Sequence, residues 1–223
     1  MGLDLILLIA ILIIPALAQF GIMINYKKYK EVENHNNLSG FEVARKILDN
    51  NGLKDMDIVS TPGNLTDHYD PTRKVVRLST DVFNETSVAA MAIAAHECGH
   101  AIQDKEGYFM MRLRSAIFPV VNLGTRISYI IIFIGLLLES AGLFYVGIAL
   151  TGLGLLFQIV TLPVEIDASK RAGVQLKKLK ISNNSDKNGI KKVLISAALT
   201  YLAGVITSSL QILRLILIAG RRD

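Results

Sequence analysis

Long apolar runs alternate with polar stretches along this chain. Residues 5–24, 140–164 and 193–213 contain no Asp, Glu, Lys or Arg. Each is long enough to cross a hydrocarbon core of about 30 Å as a helix rising about 1.5 Å per residue. A fourth run, residues 117–138, is interrupted by Asn122 and Arg126. Its clean part, residues 127–138, is too short to span alone. Either Arg126 snorkels toward the headgroups or this helix projects out of the bilayer. The pattern predicts a helical membrane base of three to four transmembrane helices.

The polar stretches read differently. Residues 39–50 form a helix capped by Ser39 and stopped near Gly52. Asp57-Ile58-Val59-Ser60 is a short strand ended by Thr61-Pro62-Gly63. Residues 65–69 and 74–79 flank a proline turn, Asp70-Pro71-Thr72-Arg73, and alternate as a β-hairpin does. Residues 85–103 are rich in alanine and free of proline, with several N-cap candidates among Asn84, Glu85, Thr86 and Ser87. The fold class expected is α+β, a small domain of hairpin and alanine-rich helix on the membrane base. The segments are a transmembrane anchor (1–26), a polar segment (27–115), a transmembrane hairpin (116–164), a second polar helix (165–192) and a last transmembrane or interfacial helix (193–223).

Composition agrees with this division. Of 223 residues, 51% are hydrophobic and only 19% charged, so a very apolar soluble core is the poorer explanation. The first run lacks a basic leader and exceeds a signal-peptide core in length, which reads as a permanent anchor. Lys27, Lys28 and Lys30 follow the first run; Lys170, Arg171, Lys177, Lys178 and Lys180 follow the third. The positive-inside rule therefore places residues 27–115 and 165–192 in the cytoplasm of a multi-pass cell-membrane protein. A fully spanning last helix would leave Arg214, Arg221 and Arg222 outside, which conflicts with that rule. The net charge of +5 reports membrane orientation, and no basic–aromatic pattern favours nucleic acid.

The chemistry sits in Ala95-His96-Glu97-Cys98-Gly99-His100-Ala101. Positions four apart share a helix face, so His96 and His100 can meet one metal ion. Glu97 then stands beside an open coordination position as a base for water. A metal-free polar turn is the bland alternative. Against it, two histidines and a glutamate in an apolar helix need a partner. Cys98, the only cysteine, excludes an intrachain disulfide and reads as a small packing residue.

A catalytic zinc needs a third protein ligand. Glu165 is the better candidate, because the two intervening spans go out and come back, returning the chain near its start. A helix-start carboxylate serving the helix dipole is the alternative. Asp167 faces elsewhere, while Ser169 shares the Glu165 face. Asp104, four residues past His100, is placed to hold a ligating imidazole from behind or is a surface carboxylate. His68, Tyr69 and Arg171 are candidate oxyanion donors. His68 is equally a structural hairpin residue, or a fourth ligand that closes the site.

These residues resemble a known group. An apolar anchor, His96-Glu97-Cys98-Gly99-His100, two spans and Glu165 in a charged helix resemble the membrane gluzincins, which include HtpX-like and prenyl-protein proteases. Leu65-Thr66-Asp67-His68-Tyr69-Asp70-Pro71, Gly99-His100-Ala101-Ile102-Gln103 and Leu162-Pro163-Val164-Glu165 look more closely like the YugP-like neutral zinc metallopeptidases, over nearly the whole chain. The resemblance implies one Zn²⁺ held by His96, His100 and Glu165, with Glu97 as general base and a peptide or protein as substrate. It departs at Ser169, where broader gluzincins often carry aspartate. Asp104 or Asp67 would then have to support the histidine. A non-catalytic membrane adaptor or chaperone-like protein with a closed metal site is the competing class. A transporter is weaker, since Arg126 is the main ionisable group in the spans.

Overall fold

The computed structural model describes residues 2–220, and Arg221 and Arg222, which entered the orientation conflict above, lie outside them. The order is α1 (Gly2–Lys30), α2 (Gly40–Asn50), β1 (Asp57–Thr61), β2 (His68–Asp70), β3 (Val75–Ser79), α3 (Thr80–Asn84), α4 (Val88–Glu106), α5 (Phe109–Leu137), α6 (Ala141–Lys178) and α7 (Asn184–Ala219). The fold is mostly helical with one three-stranded sheet. Four helices, α1, α5, α6 and α7, are long and apolar enough to cross a membrane. The interrupted run is thus one continuous helix of 29 residues in α5, with Arg126 exposed on it.

The chain divides into two compact units. One comprises Met1–Gln19, Arg112–Pro163 and Thr200–Asp223. It is built from the long helices, and large side chains such as Leu12, Leu17, Phe133 and Leu138 are exposed on it. A soluble surface does not tolerate so much contiguous apolar area; a lipid surface requires it. Its small core packs Ile132, Phe144, Ile148, Leu215 and Ala219 together. Arg214 donates through Nε to Asp4 at 2.9 Å. This ion pair neutralises one of the three arginines, Arg214, that counted against a spanning last helix.

The other unit comprises Phe20–Met111 and Val164–Leu199 and carries the chemistry. The strand order is β1-β3-β2, with β1 parallel and β2 antiparallel to β3. The β2–β3 pairing is the expected hairpin. Ser39 closes a capping box with Glu42 at the start of α2. Ser87 caps α4 by accepting from the Ala90 N–H, and its own backbone bridges Glu33, so the helix starts later than its composition suggests. Gly107, at φ 66°, ends α4 in the left-handed region that favours glycine. The apolar core gathers Val43, Ile47 and Leu48 of α2, Val76 and Leu78 of β3, and the alanines of α4. Those alanines are almost fully buried, so α4 is the central helix of this unit.

Candidate metal centre

Helix α4 carries His96 and His100 one turn apart, and their rings meet edge to face with centroids 4.8 Å apart. Helix α6 brings Glu165 against both. One ligand atom from each of the three lies within 4.8 Å of the others, and all three residues are buried. The Glu165 Oε2 atom is 3.2 Å from His96 Nε2 and 3.4 Å from His100 Nε2. Ligands about 2.0–2.1 Å from a tetrahedral zinc stand about 3.4 Å apart. The observed separations match that edge.

Gly99 makes the approach possible. A Cβ there would lie 2.5 Å from the Ala168 carbonyl oxygen. No side chain fits, so the glycine between the two histidines lets the α6 backbone close onto α4. Cys98, on another face, is fully buried, with its thiol 3.6 Å from the Ala44 carbonyl and its pKa pushed up by burial.

The rear nitrogens of both imidazoles are held. His100 Nδ1 lies 3.0 Å from Gln103 Oε1. The orientation of that amide follows from its other end, where Nε2 donates to the Val164 carbonyl at 2.8 Å and to Asp167 Oδ2 at 2.9 Å. The Gln103 oxygen can only accept, so His100 Nδ1 carries the proton and Nε2 presents its lone pair. That lone pair faces a carboxylate oxygen, an arrangement that needs a cation or a proton between them. His96 Nδ1 lies 3.1 Å from the Ser169 hydroxyl. The donor set, two imidazole nitrogens and a carboxylate with supported backs, fits a divalent ion of the zinc type.

Charge state agrees. Burial pushes the Glu165 carboxyl up, but the His100 and His96 imidazoles pull it further down, below the usual carboxylate range. Glu97 differs: burial raises it to about 7, against the opposing pull of His96. Its Oε2 accepts the Tyr69 backbone N–H at 2.9 Å. Helix and strand thereby fix the carboxylate next to the histidine pair.

The other sequence candidates fall differently. Asp104, read either as support behind an imidazole or as a surface carboxylate, accepts from the Tyr69 hydroxyl at 2.6 Å and from Lys74. The hydroxyl follows the strand that ends one residue later, so Asp104 pins β2 to α4. Asp67 accepts from the Ser79 N–H at 2.7 Å and its hydroxyl at 3.2 Å, and so braces the hairpin. Neither replaces the aspartate expected at position 169, because Ser169 and Gln103 already hold the rings. His68 is exposed, with Nδ1 2.8 Å from the Thr66 carbonyl, and is not in the ligand cluster. Arg171 is engaged by Asp167 and Glu106, each at 2.5 Å, and lies over the Tyr108 ring. Asp167, expected to face elsewhere, is two hydrogen bonds from His100 through Gln103. Sequence reasoning missed Gln103; the available signal was its position three residues after His100, on the same helix face.

The chain thus combines a His-Glu-x-x-His helix, a distant glutamate that meets it and four candidate spans. The chain belongs to the family described as "Putative neutral zinc metallopeptidase", which matches residues 4–220. It is similar to the "Putative membrane protease YugP" of Bacillus subtilis (strain 168), 44% identical over 201 residues, covering 90% of this chain and 89% of that protein. No solved structure matches it.

Proposed function

We propose that this protein is a zinc-dependent endopeptidase in which His96, His100 and Glu165 hold the metal and Glu97 is the general base. One observation carries the reading. A single Glu165 oxygen stands 3.2 and 3.4 Å from two imidazole nitrogens whose opposite nitrogens are occupied by Ser169 and Gln103. A bound zinc ion supplies Lewis acidity toward a water and a peptide carbonyl.

The chain's own residues do the rest. Glu97 accepts the proton of the attacking water and delivers it to the leaving amine nitrogen. Its raised pKa, near neutrality, suits a group that must both take and give a proton. Strand β2 lies at the sheet edge, and Tyr69 spends its outward N–H on Glu97. An extended peptide pairing with that edge would compete for the same N–H. Substrate arrival would thereby release the carboxylate where it is needed. The lysines in the last turns of α1 and α6 support a cytoplasmic position for this unit.

The test is peptide cleavage by the purified full chain in detergent. Cleavage should be lost on chelation and restored by zinc. The Glu97→Gln variant should keep its zinc and lose turnover by a factor of about 10² to 10⁴. A variant that cleaves at the original rate overturns the assignment. A wild-type chain that binds zinc but cleaves nothing favours the adaptor class.

A further inference from the structure

A cavity of about 900 Å³ lies between the C-terminal part of α6 and the N-terminal part of α7. Its floor is apolar, with Ile166, Leu176, Ile190, Leu194 and Ile195 contributing. Its charged lining residues are all of one sign: Lys170, Lys177, Lys187 and Lys191. All four are exposed, and none is in an ion pair among the described residues. A groove of this size fits a drug-sized or lipid-sized molecule. Its electrostatics ask for an apolar body with an anionic group.

The placement of the lysines along the helices selects between such molecules. The uncharged run of α6 ends at Val164, and that of α7 begins at Val193. Lys170 lies six residues beyond the first and Lys191 two residues before the second, so both stand within about 9 Å of an apolar boundary at about 1.5 Å per residue. The apolar lining continues into the run itself through Leu194, Ile195 and Ala198. Apolar wall on the span side and ammonium groups just past its end repeat the order of an acyl chain and a phosphate. Basic pockets between membrane helices bind anionic headgroups by this logic.

We propose that the α6–α7 groove is a binding site for one anionic phospholipid, with the acyl chain on Leu194 and Ile195 and the phosphate among Lys170, Lys177, Lys187 and Lys191. None of the three proposed metal ligands lines the groove, although Ser169, which lies 3.1 Å from His96 Nδ1, does.

Gly173 supplies a clean probe. It lines the groove, and a Cβ there meets nothing within 4 Å. A Gly173→Phe substitution therefore starts from an unhindered Cβ, adds bulk to the groove lining and leaves all four lysines in place. The full chain is purified in detergent and offered an equimolar mixture of phosphatidylglycerol and phosphatidylcholine. Lipid retained on the protein is then counted by native mass spectrometry. The expected result is a roughly tenfold preference for phosphatidylglycerol. Joint replacement of the four lysines by glutamine should erase the preference, and Gly173→Phe should reduce retention of the lipid itself. Soluble glycerol phosphate in excess should not displace it; displacement would mean a free-phosphate site and would overturn the proposal. So would equal retention of the two lipids, a preference unmoved by both variants, or binding of an acidic apolar peptide in place of any lipid.

Discussion

Glu97 and Glu165 are both buried glutamates, yet their surroundings drive them apart. Two imidazoles hold Glu165 charged, as a ligand must be, whereas Glu97 has a single backbone N–H and sits near neutrality. Divergent carboxylates in one site mark an acid–base division of labour. Their replacements should therefore fail in different ways. Glu97→Gln keeps the metal and loses turnover. Glu165→Ala should lose zinc, read as metal content after gel filtration. Full zinc occupancy in that variant would place the third ligand elsewhere. Gln103 gives a subtler result. It touches no proposed metal position, but it fixes which His100 nitrogen carries the proton. Gln103→Ala should weaken zinc affinity about 10- to 100-fold, measured against a competing chelator. Gln103→Glu keeps an acceptor for the His100 Nδ1 proton but sets an oxygen against the Val164 carbonyl and Asp167, so it should not restore the affinity.

Between elements, the site depends on how closely α6 approaches α4, and Gly99 governs that approach. Gly99→Ala puts a methyl carbon 2.5 Å from the Ala168 oxygen, so one helix backbone must retreat. Overpacking of this kind costs about 1–3 kcal/mol. Zinc affinity should fall with stability, although all three proposed ligands remain. An unchanged affinity would mean that α6 adjusts without moving Glu165. The helix carrying the histidines, the hairpin and the return of Glu165 were legible because each rests on local signals: spacing of four, a proline turn, and apolar runs of spanning length. The support of the imidazoles was not legible. Ser169 stood where related proteases carry aspartate, which suggested a missing partner, yet a hydroxyl reaches His96 from there. Asp167 stood off the Glu165 face, yet Gln103 spans the gap between helices. Contacts through a long side chain across two elements leave no periodic trace in one sequence.

Taken as a whole, the chain has an uneven distribution of charge, and that asymmetry makes its orientation testable. Lys27, Lys28, Lys30 and the lysines of residues 170–192 flank the candidate spans on one side in sequence, and the opposing Arg214 is paired with Asp4. With the proposed cytoplasmic placement, four spans would put the turn at Glu139 on the outer side and Lys187 inside. Cys98 is fully buried, so a single introduced cysteine reports its own location. Glu139→Cys should react with a membrane-impermeant maleimide in intact cells, while Lys187→Cys should react only after lysis. The reverse pattern would turn the whole chain over.

The two compact units also predict where metal removal is felt. The proposed ligands come from α4 and from α6 beyond Pro163, both within the unit of residues 20–111 and 164–199. A ligand that binds only the folded form stabilises by mass action, about 2.7 kcal/mol when present at 100 times its dissociation constant. That is about a hundredfold in the population of open states. Chelation should therefore accelerate amide hydrogen exchange in α4 and in residues 164–178 of α6. The helices of the other unit have their own core around Phe144 and Leu215 and no share in the metal cluster, so their exchange should hold steady. The Glu165→Ala variant should show the accelerated pattern with or without zinc. A chelator effect spread evenly over both units would mean that the metal holds the entire chain together, and one confined to neither would mean that it does not tie α4 to α6 at all.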